Sequence, residues 1–277
     1  MCKVFKVSRN SYYQWLKQKS SPQKERKKSI SNEIEKVWKE SFKTYGSPRI
    51  TMALRRKGFH VSRKYVAKLM NEQGIKSIIR QKYVVTTDSK HDYSIADNKL
   101  NRVFKVEELG KVWVSDITYI KVKNDWCYLT TIIDLASRKV VGWSLSEDLT
   151  TENTVIKAWN HAKSRHFTQK ELLFHSDRGI QYASTQFRNI LQFNNHVQQS
   201  MSRKGNCWDN AVAESFFKSI KNEFLRFHKF NSFWEAKRVI FQYIEGFYNN
   251  NRLHSAIGYI TPKEREKQLL MQLKNVA

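Results

Sequence analysis

The feature that most constrains the fold is a change in the spacing of apolar residues between about residues 75 and 110. Ahead of it, Ile30, Ile34, Val37, Trp38 and Phe42 recur at helical intervals. Ser47-Pro48-Arg49 then opens a second helix through Leu54, and Gly58 breaks it. Ser62 caps a third helix, SRKYVAKLMNEQG, which ends at Gly74. Beyond the change, KVWVSDITYIKV and WCYLTTIIDL are β-branched and aromatic strands joined by a turn at Asn124-Asp125. VVGWSL follows Ser137-Arg138-Lys139 as a third strand, which completes an antiparallel meander. Thr150 or Thr151 caps a helix with Val155, Ile156, Trp159 and Ala162 on one stripe. ELLFHSD reads as a buried strand, STQFRNILQFNN as a helix and HVQQSMS as a further strand. A long helix starts at Asp209 or Asn210 and runs through Phe227. The order β-β-β-α-β-α-β-α predicts an α/β mixed sheet with flanking helices, preceded by an all-α module.

Charge follows the same division. The chain has 50 Lys+Arg against 25 Asp+Glu, a formal net charge of +25. Residues 1–100 hold 24 basic and 8 acidic residues, so most of the excess lies in the shorter, helical part. A polyanion is therefore the leading partner, and charge alone does not separate nucleic acid from an anionic membrane surface. No apolar run is long enough to span a bilayer, and MCKVFKVSRN lacks the apolar core of a secretory signal. Cys2, Cys127 and Cys207 are far apart and odd in number, which excludes a disulfide framework and fits a reducing cytoplasm. The predicted organisation is a basic helical DNA-binding module over 1–90, a linker over 91–104, an α/β core over 105–265 and a tail over 266–277.

Within the basic module, a helix, a Gly-containing turn and a capped helix form the pattern of a helix-turn-helix. On the capped helix Tyr65, Val66, Leu69 and Met70 are expected to face inward. Arg63, Lys64 and Lys68 face outward, either to DNA phosphates and base edges or simply to solvent. The earlier fragment VSRNSYYQWLKQ reads as a short helix carrying Tyr12, Tyr13 and Trp15.

In so basic a chain, acids inside apolar elements stand out. Asp116 sits mid-strand on the face of Val114 and Thr118, Asp177 ends the LLFHSD strand, and Glu214 lies near the start of the long helix. Carboxylates in such places are costly unless paired, hydrogen-bonded or bound to a metal. Three of them suit phosphoryl transfer, in which carboxylates hold two Mg²⁺ ions that clamp the attacking and leaving oxygens. Each acid alone also has a plain reading, as a turn residue or a helix-terminal charge. Asp134, at the end of the second strand just before Ser137-Arg138, is a rival acid and is read as a turn former.

The residues around these acids carry a resemblance. W-V-S-D-I-T-Y-I at 113–120, F-H-S-D-R-G-I-Q-Y at 174–182 and S-M-S-R-K-G-N-C-W-D-N-A-V-A-E-S-F-F at 200–217 are its main stretches. Y-N-N-N-R-L-H at 248–254 and Y-G-S-P-R-I at 45–50 extend it over nearly the whole chain. The sequence resembles the integrase-core transposases of bacterial insertion sequences, the OrfB type of insertion-sequence family three. The resemblance implies an RNase H-like integrase catalytic core and a metal-dependent DDE polynucleotidyl transferase. Its acids would be Asp116, Asp177 and Glu214, holding two Mg²⁺ ions, with Mn²⁺ as a substitute. It also implies element ends and target DNA as partners, a homo-oligomer in the synaptic complex, and a place at the bacterial nucleoid in the cytoplasm. An upstream-frame protein is a further implied partner, joined by frameshift fusion; the chain begins Met-Cys-Lys and reads as the downstream product. One departure is visible: 36 residues lie between Asp177 and Glu214, one more than the family's spacing. The extra residue is placed near Asn194-Asn195, ahead of the last strand.

Neighbouring residues extend the expected site. Glu214, Lys218 and Lys221 share a helix face, so the lysines either hold DNA phosphates or, for Lys218, pair with Glu214. Arg203 and Lys204 with Gly205-Asn206 form a basic loop that suits backbone contact or is a solvated turn. His175 and Arg178 flank Asp177 in substrate-orienting or packing roles. Trp208 reads as structural before base-stacking, and Arg252 and His254 as capping, packing or DNA-contacting residues. The aromatic-rich stretch FWEAKRVIFQYIEGFYNN reads as a packing helix through Phe233, Ala236, Ile240, Tyr243 and Phe247. With only His60 in the basic module and His91 at the start of the linker, the His₂Cys₂ ligand set of a zinc domain is lacking there. The rival readings are a DNA-binding regulator or decayed copy without catalysis, and an RNase H-type metal nuclease that cuts without joining.

Overall fold

A computed structural model describes residues 2, 4–5, 7–17, 21–78, 95–166, 168–169, 171–194 and 196–276. The chain divides into two compact units, Met1–Ile78 and Ile79–Ala277. Among the described residues no helix is long and apolar enough to cross a membrane.

The first unit is helical: α1 (Arg9–Lys17), α2 (Pro22–Glu40), α3 (Ser47–Arg56) and α4 (Arg63–Glu72). Ser21 caps α2 and Ser62 caps α4, each hydroxyl accepting a backbone N–H three residues on. Gly58, at φ +86°, takes the left-handed conformation that turns the chain between α3 and α4. Ile30, Ile34 and Val37 of α2, Ile50 and Leu54 of α3, and Val66, Leu69 and Met70 of α4 supply the core. Two expected core residues are not in it. Phe42 lies beyond the end of α2 in a left-handed turn and is exposed, because Ser41 already caps the helix. Tyr65 is exposed because it is offset from the stripe that Val66, Leu69 and Met70 define. The fragment expected as a first helix is α1, and its Tyr13, Trp15 and Leu16 are exposed.

The second unit is built on one sheet: β1 (Val112–Val122), β2 (Asp125–Asp134), β3 (Val140–Ser146), β4 (Leu172–Ser176) and β5 (Val197–Met201). The strand order is β3-β2-β1-β4-β5. β2 is antiparallel to both β1 and β3, while β4 runs parallel to β1 and β5. This is the RNase H-like mixed sheet that the sequence predicted. A π-helical turn (Glu152–Ile156) leads into α5 (Lys157–Arg165), where the sequence predicted one uniform helix. The Thr150 hydroxyl accepts the Asn153 N–H at 3.3 Å and caps that entry. Next come α6 (Ile180–Ala183), which the sequence did not predict, and α7 (Thr185–Phe193), capped by Ser184. On one face of the sheet Trp113, Ile132 and Val141 pack with Trp159, Phe174, Tyr182 and Phe187 in a single core. Gly142 lets α5 approach closely: a Cβ there would lie 2.4 Å from the Ala158 carbonyl oxygen.

On the C-terminal side lie α8 (Ala211–Glu223), α9 (Phe233–Phe241) with its π-helical extension (Gln242–Tyr248), and α10 (Pro262–Val276). α8 is shorter than predicted. Phe224 leaves the helical conformation, packs 5.2 Å from Tyr243, and hands the chain to a 3₁₀ turn over Leu225–Phe227. Neither Asp209 nor Asn210 caps it with a side chain; a 3₁₀ turn over Cys207–Asn210 leads in instead. The aromatic stretch packs as its periodicity predicted, with Ala236, Ile240, Tyr243 and Phe247 buried, and Tyr248, outside that periodic set, meets Phe216 of α8 at 4.8 Å. Residues expected as a linker are strapped to the core from 95 onward. The Ser200 hydroxyl accepts the N–H groups of Lys99 and Leu100, and Leu100 is buried. The rest of that linker, up to residue 94, and Asn195 lie outside the described residues. The segment expected as a tail is helical, and Leu269 packs against Leu109 and Ala136.

Candidate active site

Asp116 and Asp177 are brought together by strand register. In the parallel pairing of β1 with β4, Ser115 stands beside Ser176. Asp116 is the next residue of β1 and Asp177 the first residue past the end of β4, so both follow directly on a pair of adjacent strands about 4.8 Å apart. Asp116 Oδ1 accepts the Ile117 N–H at 2.9 Å. Asp177 Oδ1 accepts the Gly179 N–H at 3.0 Å, a turn that lets the chain leave β4 and enter α6. Glu214 stands in the first turn of α8. The start of that helix is pinned to β1 by Asn210 Nδ2, which donates to the Ser115 carbonyl at 2.8 Å.

The three acids share one electrostatic neighbourhood. The Asp116 carboxyl is pushed well above the usual carboxylate range, first by loss of solvent, then by the charge of Asp177, and further by that of Glu214. The Ile117 N–H and Lys221 oppose the rise. Burial lowers the Lys221 ammonium, and the charge of Asp116 holds it up. The Tyr182 hydroxyl is raised well above its ordinary value by burial and then by Asp116 and Asp177. Two half-buried carboxylates with Glu214 in the same field, and Lys221 only partly offsetting them, make an oxygen-donor set for a hard divalent cation. Among the described residues, no three His, Cys, Asp or Glu side chains close around one ion by themselves. A cation here would rest on the Asp116–Asp177 pair and complete its shell with Glu214, water or phosphate oxygens.

The other expected residues take varied places. Lys218 Nζ lies 3.4 Å from Glu214 Oε2. Arg203 binds Asp209 through Nε and Nη2 at 2.9 and 2.8 Å, so its charge is matched, while Lys204 is exposed in the same loop. Asp209 has a fully buried side chain that also accepts from Arg102 Nε and Asn98 Nδ2, both at 2.8 Å. Its carboxyl is held far below the usual range, chiefly by the Arg203 hydrogen bonds. His175 is buried between Ser200 and Ser202, and burial lowers its imidazole to about 4, so it is a neutral strut. Arg178 Nε donates to the Ser202 carbonyl at 2.6 Å. Trp208, expected to be structural, is instead 70% exposed. Asp134 forms the turn expected of it: Oδ1 accepts from the Ser137 N–H and hydroxyl, and Oδ2 from the Gly110 N–H. Arg252 makes a buried bidentate pair with Glu223, and His254 Nδ1 accepts the Ala256 N–H, so both tail residues have structural partners. In the first unit, Arg63, Lys64 and Lys68 lie on the exposed face of α4.

Sequence reasoning passed over Ser115 and Tyr182, and took Asp209 and Asn210 only as helix starters. All four lie inside the motifs that flank the acids; the signal was a hydroxyl, amide or carboxyl side chain at an otherwise apolar position.

Comparison with known proteins gives three family matches. Residues 25–83 match an HTH-like domain, residues 107–207 an integrase core domain, and residues 195–262 a second integrase core domain model. The chain is 38% identical over 268 residues to an insertion element IS600 uncharacterized 31 kDa protein of Shigella sonnei, covering 96% of this chain and 98% of that protein. It is 36% identical to the transposase for insertion sequence element IS904 of Lactococcus lactis subsp. lactis, covering 91% and 99%. With transposase InsF for insertion sequence IS3A of Escherichia coli the identity is 33%, covering 98% and 94%. Among solved structures, a simian T-cell lymphotropic virus intasome aligns at TM-score 0.47 and 13% identity, over 83% of this chain and 73% of that one. The HTLV-2 integrase catalytic core in complex with magnesium aligns at 0.42 and 16%, over 56% and 95%. Matched along nearly its whole length by these relatives, the chain belongs to the insertion-sequence transposases of the IS3 type, with an HTH-like domain ahead of an integrase core.

Proposed function

We propose that the chain is the catalytic subunit that cleaves the 3′ ends of an insertion sequence and joins them to target DNA, with Asp116, Asp177 and Glu214 as its active-site acids. The observation that carries this reading is the placement of Asp116 and Asp177 one residue beyond the matched pair Ser115–Ser176, in the field of Glu214. Bound Mg²⁺ ions, or Mn²⁺ in their place, would supply Lewis-acid activation of the phosphodiester and of the attacking oxygen. Asp116 and Asp177 would hold them from the sheet and Glu214 from α8. Lys221 offsets part of the carboxylate charge before the cation and the DNA arrive. Lys218 and Lys204 lie on the surfaces of α8 and the preceding loop, where they would hold phosphates. Arg203 is committed to Asp209 and orders that loop instead.

End cleavage is hydrolysis of one phosphodiester and leaves a 3′-OH. In joining, that hydroxyl attacks a target phosphodiester in line and the displaced 3′-oxygen leaves, with no covalent link to protein. The helix-turn-helix supplies element-end recognition through Arg63, Lys64 and Lys68, in a homo-oligomer that holds two ends, with the upstream-frame product as an additional partner. The test uses a pre-nicked element end, labelled target DNA and Mg²⁺. The wild-type chain joins the strands and Asp177→Ala does not. Cutting without joining would instead identify a nuclease, and joining by Asp177→Ala would remove the acids from the chemistry.

A further inference from the structure

The three segments that carry the acids meet at an uncharged residue, Ser115. Its hydroxyl lies 2.7 Å from the hydroxyl of Tyr182. Its carbonyl accepts the Asn210 amide at 2.8 Å. Ser115 immediately precedes Asp116, Tyr182 stands on the short helix that follows Asp177, and Asn210 is the residue before α8 and Glu214. All three are buried. The Tyr182 ring is fixed by Phe174 at 6.3 Å and Phe187 at 6.2 Å, so its hydroxyl has little freedom. Side chains alternate along a strand, so Ser115 points away from the face that carries Asp116. Tyr182 therefore reaches β1 from the core side of the sheet.

Sheet register sets Asp116 beside Asp177 only as far as β4 extends, and β4 ends at Ser176. Beyond that point the segment has its turn to Gly179, the Arg178 Nε bond to the Ser202 carbonyl and the anchors of α6, among them Gln199 Nε2 donating to the Tyr182 carbonyl at 2.8 Å; the Tyr182 hydroxyl is the tie that runs to β1 next to Asp116. Neighbouring like charges push such a pair apart until a cation binds. A buried hydrogen bond from α6 to the residue before Asp116 opposes that separation.

We infer that the Ser115–Tyr182 hydroxyl pair, with Asn210 on the third segment, is a positioning device that sets the spacing of the three acids for divalent-cation binding. Tyr182 and Ser115 act through the acids and are positioning residues. The inference rests on the reading of the acids given above.

The test uses the full chain as Tyr182→Phe, Ser115→Ala and the double variant, with two readouts. The first is the rise in melting temperature on titrating Mg²⁺ without DNA; the second is the joining rate of a pre-nicked end against Mg²⁺ concentration, with end-DNA affinity measured alongside. Tyr182→Phe keeps the ring and its packing, and Ser115→Ala removes the partner hydroxyl should the tyrosine variant fold poorly. Each single variant is expected to need roughly tenfold more Mg²⁺ in both readouts, the magnitude typical of a residue that orients metal ligands. Saturating Mg²⁺ restores joining, end-DNA affinity is unchanged, and the double variant matches either single because one hydrogen bond is lost in each. A lower melting temperature with an unchanged Mg²⁺ requirement would show a structural role only and overturn the inference, as would multiplicative effects in the double variant. Asp177→Ala separates the two levels. If it joins DNA, the reading of the acids fails; if it is inactive while Tyr182→Phe keeps wild-type Mg²⁺ dependence, only the positioning inference fails.

Discussion

Replacing Glu223 with Gln should cost this fold far more than a surface change would, because Glu223 neutralises a buried arginine. Arg252 reaches it with Nη2 at 2.6 Å and Nε at 2.8 Å, and the two side chains are only 4% and 2% exposed. Tyr243 adds a third donor at 3.0 Å. Burial alone would lower the guanidinium, yet Glu223 holds it above its ordinary value, so the charge persists in the folded state. Glu223→Gln leaves that charge without its counterion, a change that costs about 3–5 kcal/mol. In a unit of this size, each kcal/mol lowers the melting temperature by roughly 2–4 °C, so a fall of about 10 °C is expected. Replacing both partners, Glu223→Leu with Arg252→Met and Tyr243→Phe to remove the orphaned hydroxyl, should recover most of the loss. Calorimetry and urea melts of the three forms supply the comparison. A single-variant cost under about 1 kcal/mol, or a triple variant as unstable as the single, would refute the reasoning. The pair also ties the end of α8 to the C-terminal segment, so joining by Glu223→Gln should fall more steeply with temperature than that of the wild type.

Gly142→Ala would put a Cβ 2.4 Å from the Ala158 carbonyl oxygen and 2.7 Å from Ala162 Cβ; α5 must move off the sheet, at a cost of about 3 kcal/mol, read by chemical denaturation. A neutral effect would mean that α5 is not seated as described. Asp209 has a depressed folded-state value, so its stabilisation is present above its ordinary value of 3.8 and is lost as pH falls below it. Wild type should therefore be more stable than Asp209→Asn at pH 7, the gap should begin to narrow only below pH 3.8 and still persist at pH 3, and the variant loop should be cut faster by trypsin at Arg203 and Lys204. In the absence of divalent cations, Asp116→Asn should raise stability at neutral pH by roughly 1–2 kcal/mol, since it removes a desolvated charge beside Asp177 and Glu214, while abolishing joining. A destabilised variant would count against electrostatic strain at the site.

Much of the second unit was legible because its strands carry strong local signals. The β-branched runs around Asp116 and the buried LLFHS run before Asp177 gave element type and order directly. Asp134 was likewise readable as a turn residue from its place before Ser137. What failed depends on contacts distant in sequence. Phe224 ends α8 because Tyr243 offers it a packing partner, and no helical periodicity carries that information. Arg203 looked free for DNA because its buried partner Asp209 reads as a helix-start residue in the sequence. Trp208 read as structural before base-stacking, although the turn that carries it presents it to solvent. Arg252 and His254 carried no mechanism in the sequence, since the partner of Arg252, Glu223, lies on another helix. The register that sets Asp116 beside Asp177 depends on parallel pairing of strands separated by a crossover, which no local pattern reveals.

The central claim is that Asp116, Asp177 and Glu214 form one divalent-cation centre. Crystals of the full chain soaked in Mn²⁺ and measured at the manganese absorption edge test it most directly. An anomalous peak is expected between the carboxylates of Asp116 and Asp177, with Glu214 of α8 within reach of the same ion or its neighbour, and no such peak in Asp177→Ala. A Mn²⁺ site elsewhere, with the space between Asp116 and Asp177 empty at saturating concentration, would contradict it.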